Sequence, residues 1–200
     1  MIITAQKYLG ANLTVKKQII DFYNQNCIQC VKPSRKYKVK YTDNWCATFT
    51  SVIAKMKGLS SSNFPYECGV QEQVKIAIEK GTFYKDTDLI KRNDLIIYDW
   101  DSNGWSDHVG FVMEVKDGHI KVIEGNIRDT VGYRNVPIKS NSIKGFIRVG
   151  YTEVKEDEEL RIINLAHKVI RGDLGAGLER QRHLGDDFNA VQLMVNKLLK

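Results

Sequence analysis

Asp94-Leu95-Ile96-Ile97-Tyr98-Asp99-Trp100 is a short run of aliphatic and aromatic residues, and from it onward the apolar spacing of the chain drops to two. Further runs follow at His108–Val115, His119–Glu124, Val131–Ile138 and Ile143–Tyr151, punctuated by Asp101-Ser102-Asn103-Gly104, Lys116-Asp117-Gly118 and Gly125-Asn126. Apolar runs cut by turn residues predict five strands joined as an antiparallel meander. Upstream the spacing is helical. Over 44–57, Trp45, Phe49, Val52, Ile53 and Met56 recur at helical intervals, with Asp43 or Asn44 as the N-cap and Gly58 as the stop. Residues 4–25 and 70–80 read as two further helices, and 26–42, with Pro33 and Ser34, as a polar basic loop. Helices first and a sheet after is the α+β layout.

Beyond Glu153 the strand signal stops. Glu153–Glu159 is an acidic hinge or a helix start, and Leu160, Ile163, Leu165, Ala166, Val169 and Ile170 form a helical face ending at Gly172. Leu178–Leu184 and Phe188–Leu199 supply two more helices, so the tail reads as a small three-helix module. The boundaries that follow are a first domain over 1–152 and a second over 153–200.

The chain has 200 residues, 42% hydrophobic and 27% charged, which excludes wholesale disorder. No apolar run is long enough to span a bilayer, so stable membrane insertion is not expected. Met1-Ile2-Ile3-Thr4-Ala5-Gln6-Lys7 lacks the basic-then-apolar pattern of a secretory signal, which predicts a protein held in the cytoplasm where it is made. Over 1–152 there are 22 Lys+Arg against 15 Asp+Glu, and over 153–200 there are 8 against 9. A basic body allows an anionic partner (nucleic acid, anionic lipid or an acidic wall polymer), although most lysines interleave with acids as on a solvated surface. The near-neutral tail is a poor partner for nucleic acid.

The cysteines are Cys27, Cys30, Cys46 and Cys68. Cys27 and Cys30 form half a zinc motif that no second pair completes, and no strand-to-helix context supports a redox role. Cys46 differs because it falls in the first turn of a predicted helix, where partial positive charge and free N–H groups stabilise a thiolate. His108, at a strand start, is placed to act as its base. Glu124, one strand later, is within reach of His108 and would fix the ring tautomer. Taken singly, these are a core cysteine, a solvated histidine and a hairpin turn. In this order and on these elements, packing alone does not explain them.

Asn44-Trp45-Cys46-Ala47-Thr48-Phe49, Asp107-His108-Val109-Gly110 and Ile123-Glu124-Gly125-Asn126 resemble the three motifs of the CHAP domain, a papain-related family of cysteine- and histidine-dependent amidohydrolases and peptidases. The resemblance spans roughly 10–151 and implies a papain-like fold, helices packed on an antiparallel sheet. It implies peptidoglycan cleavage with Cys46 as nucleophile, His108 as base, Glu124 orienting His108, and Asn126 as a fourth polar member. Residues 169–177, Glu179-Arg180-Gln181-Arg182 and Ala190-Val191-Gln192 resemble one CW_7 cell-wall-binding repeat, a three-helix bundle that recognises the muramyl peptide. That implies wall contacts near Gly172, Asp173, Gly175, Arg180 and Arg182, with Leu174 and Ala176 departing from the family's usual Trp and Asn.

Together these expectations describe a phage-type endolysin released through a holin pore, without cofactor. No metal is expected, because 30–43 lacks the Asp-x-Asp calcium pair found ahead of the cysteine in some relatives. The expected bond is the N-acetylmuramoyl–L-alanine amide, with a stem or cross-bridge endopeptidase as the alternative. A catalytically silent wall-binding protein is the alternative of another class. A single repeat binds weakly, which leaves room for a homo-oligomer that gathers several tails.

Overall fold

The computed structural model describes residues 1–32, 35–150 and 153–199. Pro33, Ser34 and the expected strand end at Tyr151 lie outside the described residues. The chain divides into two compact units, Met1–Tyr151 and Thr152–Lys200.

The expected helix over 4–25 is broken. It becomes α1 (Ile2–Gln6) and α2 (Leu13–Phe22), followed by a π-helical turn over Tyr23–Cys27. The break has a local cause: the Asn12 side chain caps α2 by accepting from the Val15 N–H at 3.0 Å. α3 (Cys46–Met56) starts where expected, but Trp45 is its N-cap and no side chain caps it. Asp43 instead accepts from Tyr37 and the Lys40 N–H, and Asn44 accepts from Asn126. The first N–H groups of α3 therefore stay free of side-chain acceptors. Every residue from Cys46 to Ala54 is buried, so α3 is enclosed on all sides and is not the amphipathic surface helix its spacing suggests. Two of its three buried polar members are bonded, Thr50 donating to the Ala47 carbonyl at 3.0 Å and Ser51 to the Glu67 carbonyl at 2.8 Å, while the Thr48 hydroxyl has no partner among the described residues. α4 (Val70–Glu79) follows.

Six antiparallel strands follow: β1 (Phe83–Tyr84), β2 (Leu95–Tyr98), β3 (His108–Lys116), β4 (His119–Ile127), β5 (Thr130–Pro137) and β6 (Ile143–Ile147). Their order is β1-β6-β2-β3-β4-β5. The meander therefore holds only from β2 to β5. β6 crosses back to pair with the free side of β2, and the two-residue β1 adds a strand that had no alternation to reveal it. The physical reason lies in β2, whose four residues are all buried; a strand buried on both faces is central and needs a neighbour on each side. Leu95, Ile97, Val109, Phe111 and Ile123 join the helices in one core, while Ile96, Tyr98, Val112, Val122, Val136 and Phe146 form a second on the other face.

The second unit comprises α5 (Glu153–Arg171), α6 (Gly177–Leu184) and α7 (Phe188–Leu198). The backbone is helical from Glu153, so that segment starts a helix and is not a hinge. The buried face is Ile162, Ala166 and Val169, closed by Leu184, Val191 and Val195. Leu160 and Ile170, expected on that face, are exposed. The observed spacing of four then three keeps one stripe inward, and the expected set straddles two.

Candidate active site

The site forms where the N-terminus of α3 meets the first residue of β3. Two glycines permit this approach. A Cβ on Gly125 of β4 would lie 2.6 Å from the Phe49 Cβ, so only glycine lets α3 pack this tightly on the sheet. A Cβ on Gly110 of β3 would lie 2.5 Å from the Glu124 Cγ and 2.6 Å from a Val122 methyl. Gly110 thus leaves the room that the Glu124 carboxylate occupies. Gly125 and Asn126 sit inside β4 at a register shift and are not the turn expected from their composition; the reversal comes at Arg128 and Asp129.

Glu124 is fully buried, and its carboxylate lies 3.0 Å from His108 Nε2. That contact leaves Nδ1 of the ring for Cys46. Burial alone would depress the His108 pKa. Hydrogen bonds to Cys46 and to Glu124 outweigh it and push His108 up to about 9. Tyr98 and Trp100 wall the ring at centroid distances of 5.9 and 6.0 Å. Burial, then the charge of Glu124, push the Tyr98 hydroxyl upward.

A buried carboxylate needs compensation. Arg134 provides it, its Nε donating to both Glu124 oxygens at 3.1 and 2.9 Å. The same guanidinium sits 5.0 Å over the Trp100 ring and 5.6 Å over that of Tyr98. Arg134 was not among the expected site residues. A signal existed: two residues before the inward Val136, alternation places an arginine on an apolar face, where it requires a partner.

Asn126 lines the cleft beside His108, with its Nδ2 donating to Asn44 Oδ1 at 3.0 Å. The structure therefore gathers Cys46, His108, Glu124 and Asn126 at one place. In the second unit, Asp173 pairs with Arg171 at 2.8 Å, and Arg180 donates twice to the Gly175 carbonyl at 3.1 Å. Those groups shape the turn between α5 and α6. Gly172 and Arg182 are exposed beside it.

One group of metal-type ligands occurs among the described residues. Asp99, Asp101 and Asp107 bring one oxygen each within 4.8 Å of one another. Local donors account for these oxygens: Asp99 accepts from the Gly104 N–H at 2.9 Å, Asp101 from Asn103 Nδ2 at 2.9 Å, and Asp107 from the Trp100 N–H at 2.7 Å. The cluster shapes the loop that presents Trp100.

A comparison with curated proteins finds no match. Two family models do match. The CHAP domain covers residues 36–126 and the CW_7 repeat covers residues 164–199. The first range contains Cys46, His108, Glu124 and Asn126; Arg128 and Arg134 lie beyond it. The chain thus carries a CHAP domain, which indicates a peptidoglycan hydrolase of the amidase or endopeptidase kind, followed by a CW_7 repeat that indicates binding to the cell wall.

Proposed function

We propose that this protein is a cysteine-dependent N-acetylmuramoyl-L-alanine amidase that acts as a phage-type endolysin. One observation carries the reading: Cys46 at the first turn of α3 lies close enough to His108 to help raise its pKa, and Nε2 of that ring is held 3.0 Å from a buried carboxylate. With its pKa pushed up to about 9, His108 carries a proton at neutral pH, and Cys46 beside it is the nucleophile. The thiolate attacks the scissile carbonyl carbon. The Cys46 backbone N–H, which has no intrahelical acceptor, donates to the developing oxyanion. His108 gives its proton to the leaving amine, then takes one from the water that hydrolyses the thioester, and the thiolate is restored. Glu124 keeps the ring oriented, and Asn126 is a polar wall beside it.

The muramoyl amide is favoured by Trp100, which is half-exposed beside His108 and offers an aromatic surface to a sugar ring. A glycan-to-peptide bond brings a sugar next to the scissile carbonyl; a bond within the stem does not. The CW_7 repeat would hold the enzyme on its polymer and raise the local substrate concentration. Pairing of a wall hydrolase with a wall-binding repeat supports the endolysin reading.

Mass spectrometry of digested walls tests the assignment. Peptide-free glycan and stems with a free L-alanine amino terminus are expected. New amino termini inside the stem or cross-bridge instead make the enzyme an endopeptidase.

A further inference from the structure

The cleft beside His108 has a volume of about 620 Å³, and no carboxylate lines it among the described residues. Its wall carries two arginines, Arg128 and Arg134, with Trp100, Tyr133 and Asn126 between them. The two arginines are not equivalent. Arg134 pairs with Glu124, its Nε donating to both carboxylate oxygens. Arg128 is exposed to the cleft and has no hydrogen-bonding or ion-pair partner among the described residues.

The backbone under Arg128 is fastened on both sides. Asn126 is bonded to Asn44 at 3.0 Å. Asp129 accepts from Lys16 at 2.6 Å and from the Trp45 indole at 3.1 Å. Thr130 donates to the Ala11 carbonyl at 2.8 Å. Arg128 has a φ of 49°, between Asn126 at 62° and Asp129 at 65°. Left-handed conformations are costly for an arginine, and here the flanking bonds maintain one. The result is a cation held on a fixed hairpin at the rim of the cleft that contains His108.

We propose that Arg128 forms a carboxylate subsite, and that the enzyme selects stem peptides bearing a free carboxylate close to the scissile bond over their amidated counterparts. This rests on the hydrolase reading of the same cleft and names the substrate group that the cleft prefers. A guanidinium fits the chemistry, since it binds a carboxylate through paired N–H donors and has no acceptor to offer a carboxamide oxygen–nitrogen pair equally well. Arg134 already spends its Nε on Glu124, so its charge is partly offset, whereas the charge of Arg128 is not. The Trp100 and Tyr133 rings leave the chain between carboxylate and scissile carbonyl in contact with apolar surface.

Two soluble muropeptides test the proposal, identical except that the second residue is D-glutamate with a free carboxylate or its carboxamide. Full-length protein is assayed for cleavage. Binding of the same pair is measured separately on full-length Cys46→Ala and on Cys46→Ala combined with Arg128→Gln. The free acid is expected to have a KM about tenfold lower at similar kcat, with Arg128→Gln erasing that ratio and Arg128→Lys keeping part of it. The binding preference is expected to vanish in the double variant only. Cleavage with no preference, or a preference that survives Arg128→Gln, overturns the subsite and leaves the hydrolase standing. Equal loss on both substrates in Arg128→Gln also overturns it, since the side chain then only shapes the hairpin. Preferential binding by Cys46→Ala without cleavage by the wild type supports the subsite and removes the hydrolase reading.

Discussion

The two units solve different problems with different interiors. The first buries ionisable groups: Lys16, Glu67, Asp94, Asp99, His108 and Glu124 are all inside it. In the second, every buried residue among those described is apolar, and there are six of them. A charged group inside a fold must be paired, and pairing fixes geometry. That is what the proposed reacting pair, Cys46 and His108, needs. A unit that only adheres to a polymer can keep its polar groups outside and needs only a stable surface. The cost is a thin core, so the second unit has little stability to lose.

Several variants break or sharpen this contrast. Cys46→Ala should lower hydrolysis by at least about a thousandfold while wall binding persists. Clearing of a wall suspension by this variant at the wild-type rate would place the nucleophile elsewhere. Glu124→Gln should cost about 10²- to 10⁴-fold. It should also move the alkaline limb of the pH–rate profile below 9, because one of the two hydrogen bonds that raise His108 is weakened. A reduced rate with an unmoved limb means that Glu124 only fills space.

Val191 is fully buried in the second unit, and Val191→Asp puts an unpaired charge among the five other buried apolar side chains. That should unfold α5–α7, at about 3–5 kcal/mol, and abolish wall binding. Cleavage of soluble muropeptides should survive; its loss would show that the units depend on each other. The first unit should respond to pH through His108. Its folded pKa of about 9 lies above its reference value of 6.5. The stabilisation is therefore fully present below 6.5 and is lost as pH rises through about 9, on the order of 3 kcal/mol. Calorimetry of wild type against His108→Ala reads the difference, and equal slopes across that window rule out the raised pKa. The smallest effect is expected in the second unit. Asp173 pairs with Arg171 in the open, so Asp173→Asn should change stability by at most about 0.5 kcal/mol. Its readout is wall binding, which should weaken; unchanged binding removes Asp173 from the wall-contacting surface.

Much of the site was legible because its signals are local. Cys46 follows an apolar helical spacing, His108 opens a strand, and Glu124 comes one strand later in an adjacent hairpin. Adjacent strands are brought into register by short turns, so residues close in sequence order become close in space. Arg134 was not legible in the same way, because its partner Glu124 lies across the β4–β5 pair and only the register joins them. Arg128 was hidden for another reason: Gly125-Asn126 looks more like a turn than Arg128-Asp129 does, and only the bonds of Asn126 and Asp129 move the reversal downstream. The break at Asn12 was missed because one capping bond outweighs a run of helix-compatible residues.

The sequence by itself carried most element types, the change of pattern near residue 153 and the motifs of the candidate site, since periodicity, turn residues and side-chain chemistry are properties of short segments. Only the tertiary structure decided that β6 returns to β2, that α3 is enclosed, and that one arginine is consumed by Glu124 while another is left facing the cleft. Those outcomes depend on which distant surfaces compete for the same partner, and the β4–β5 pairing brings Arg134 to the Glu124 carboxylate.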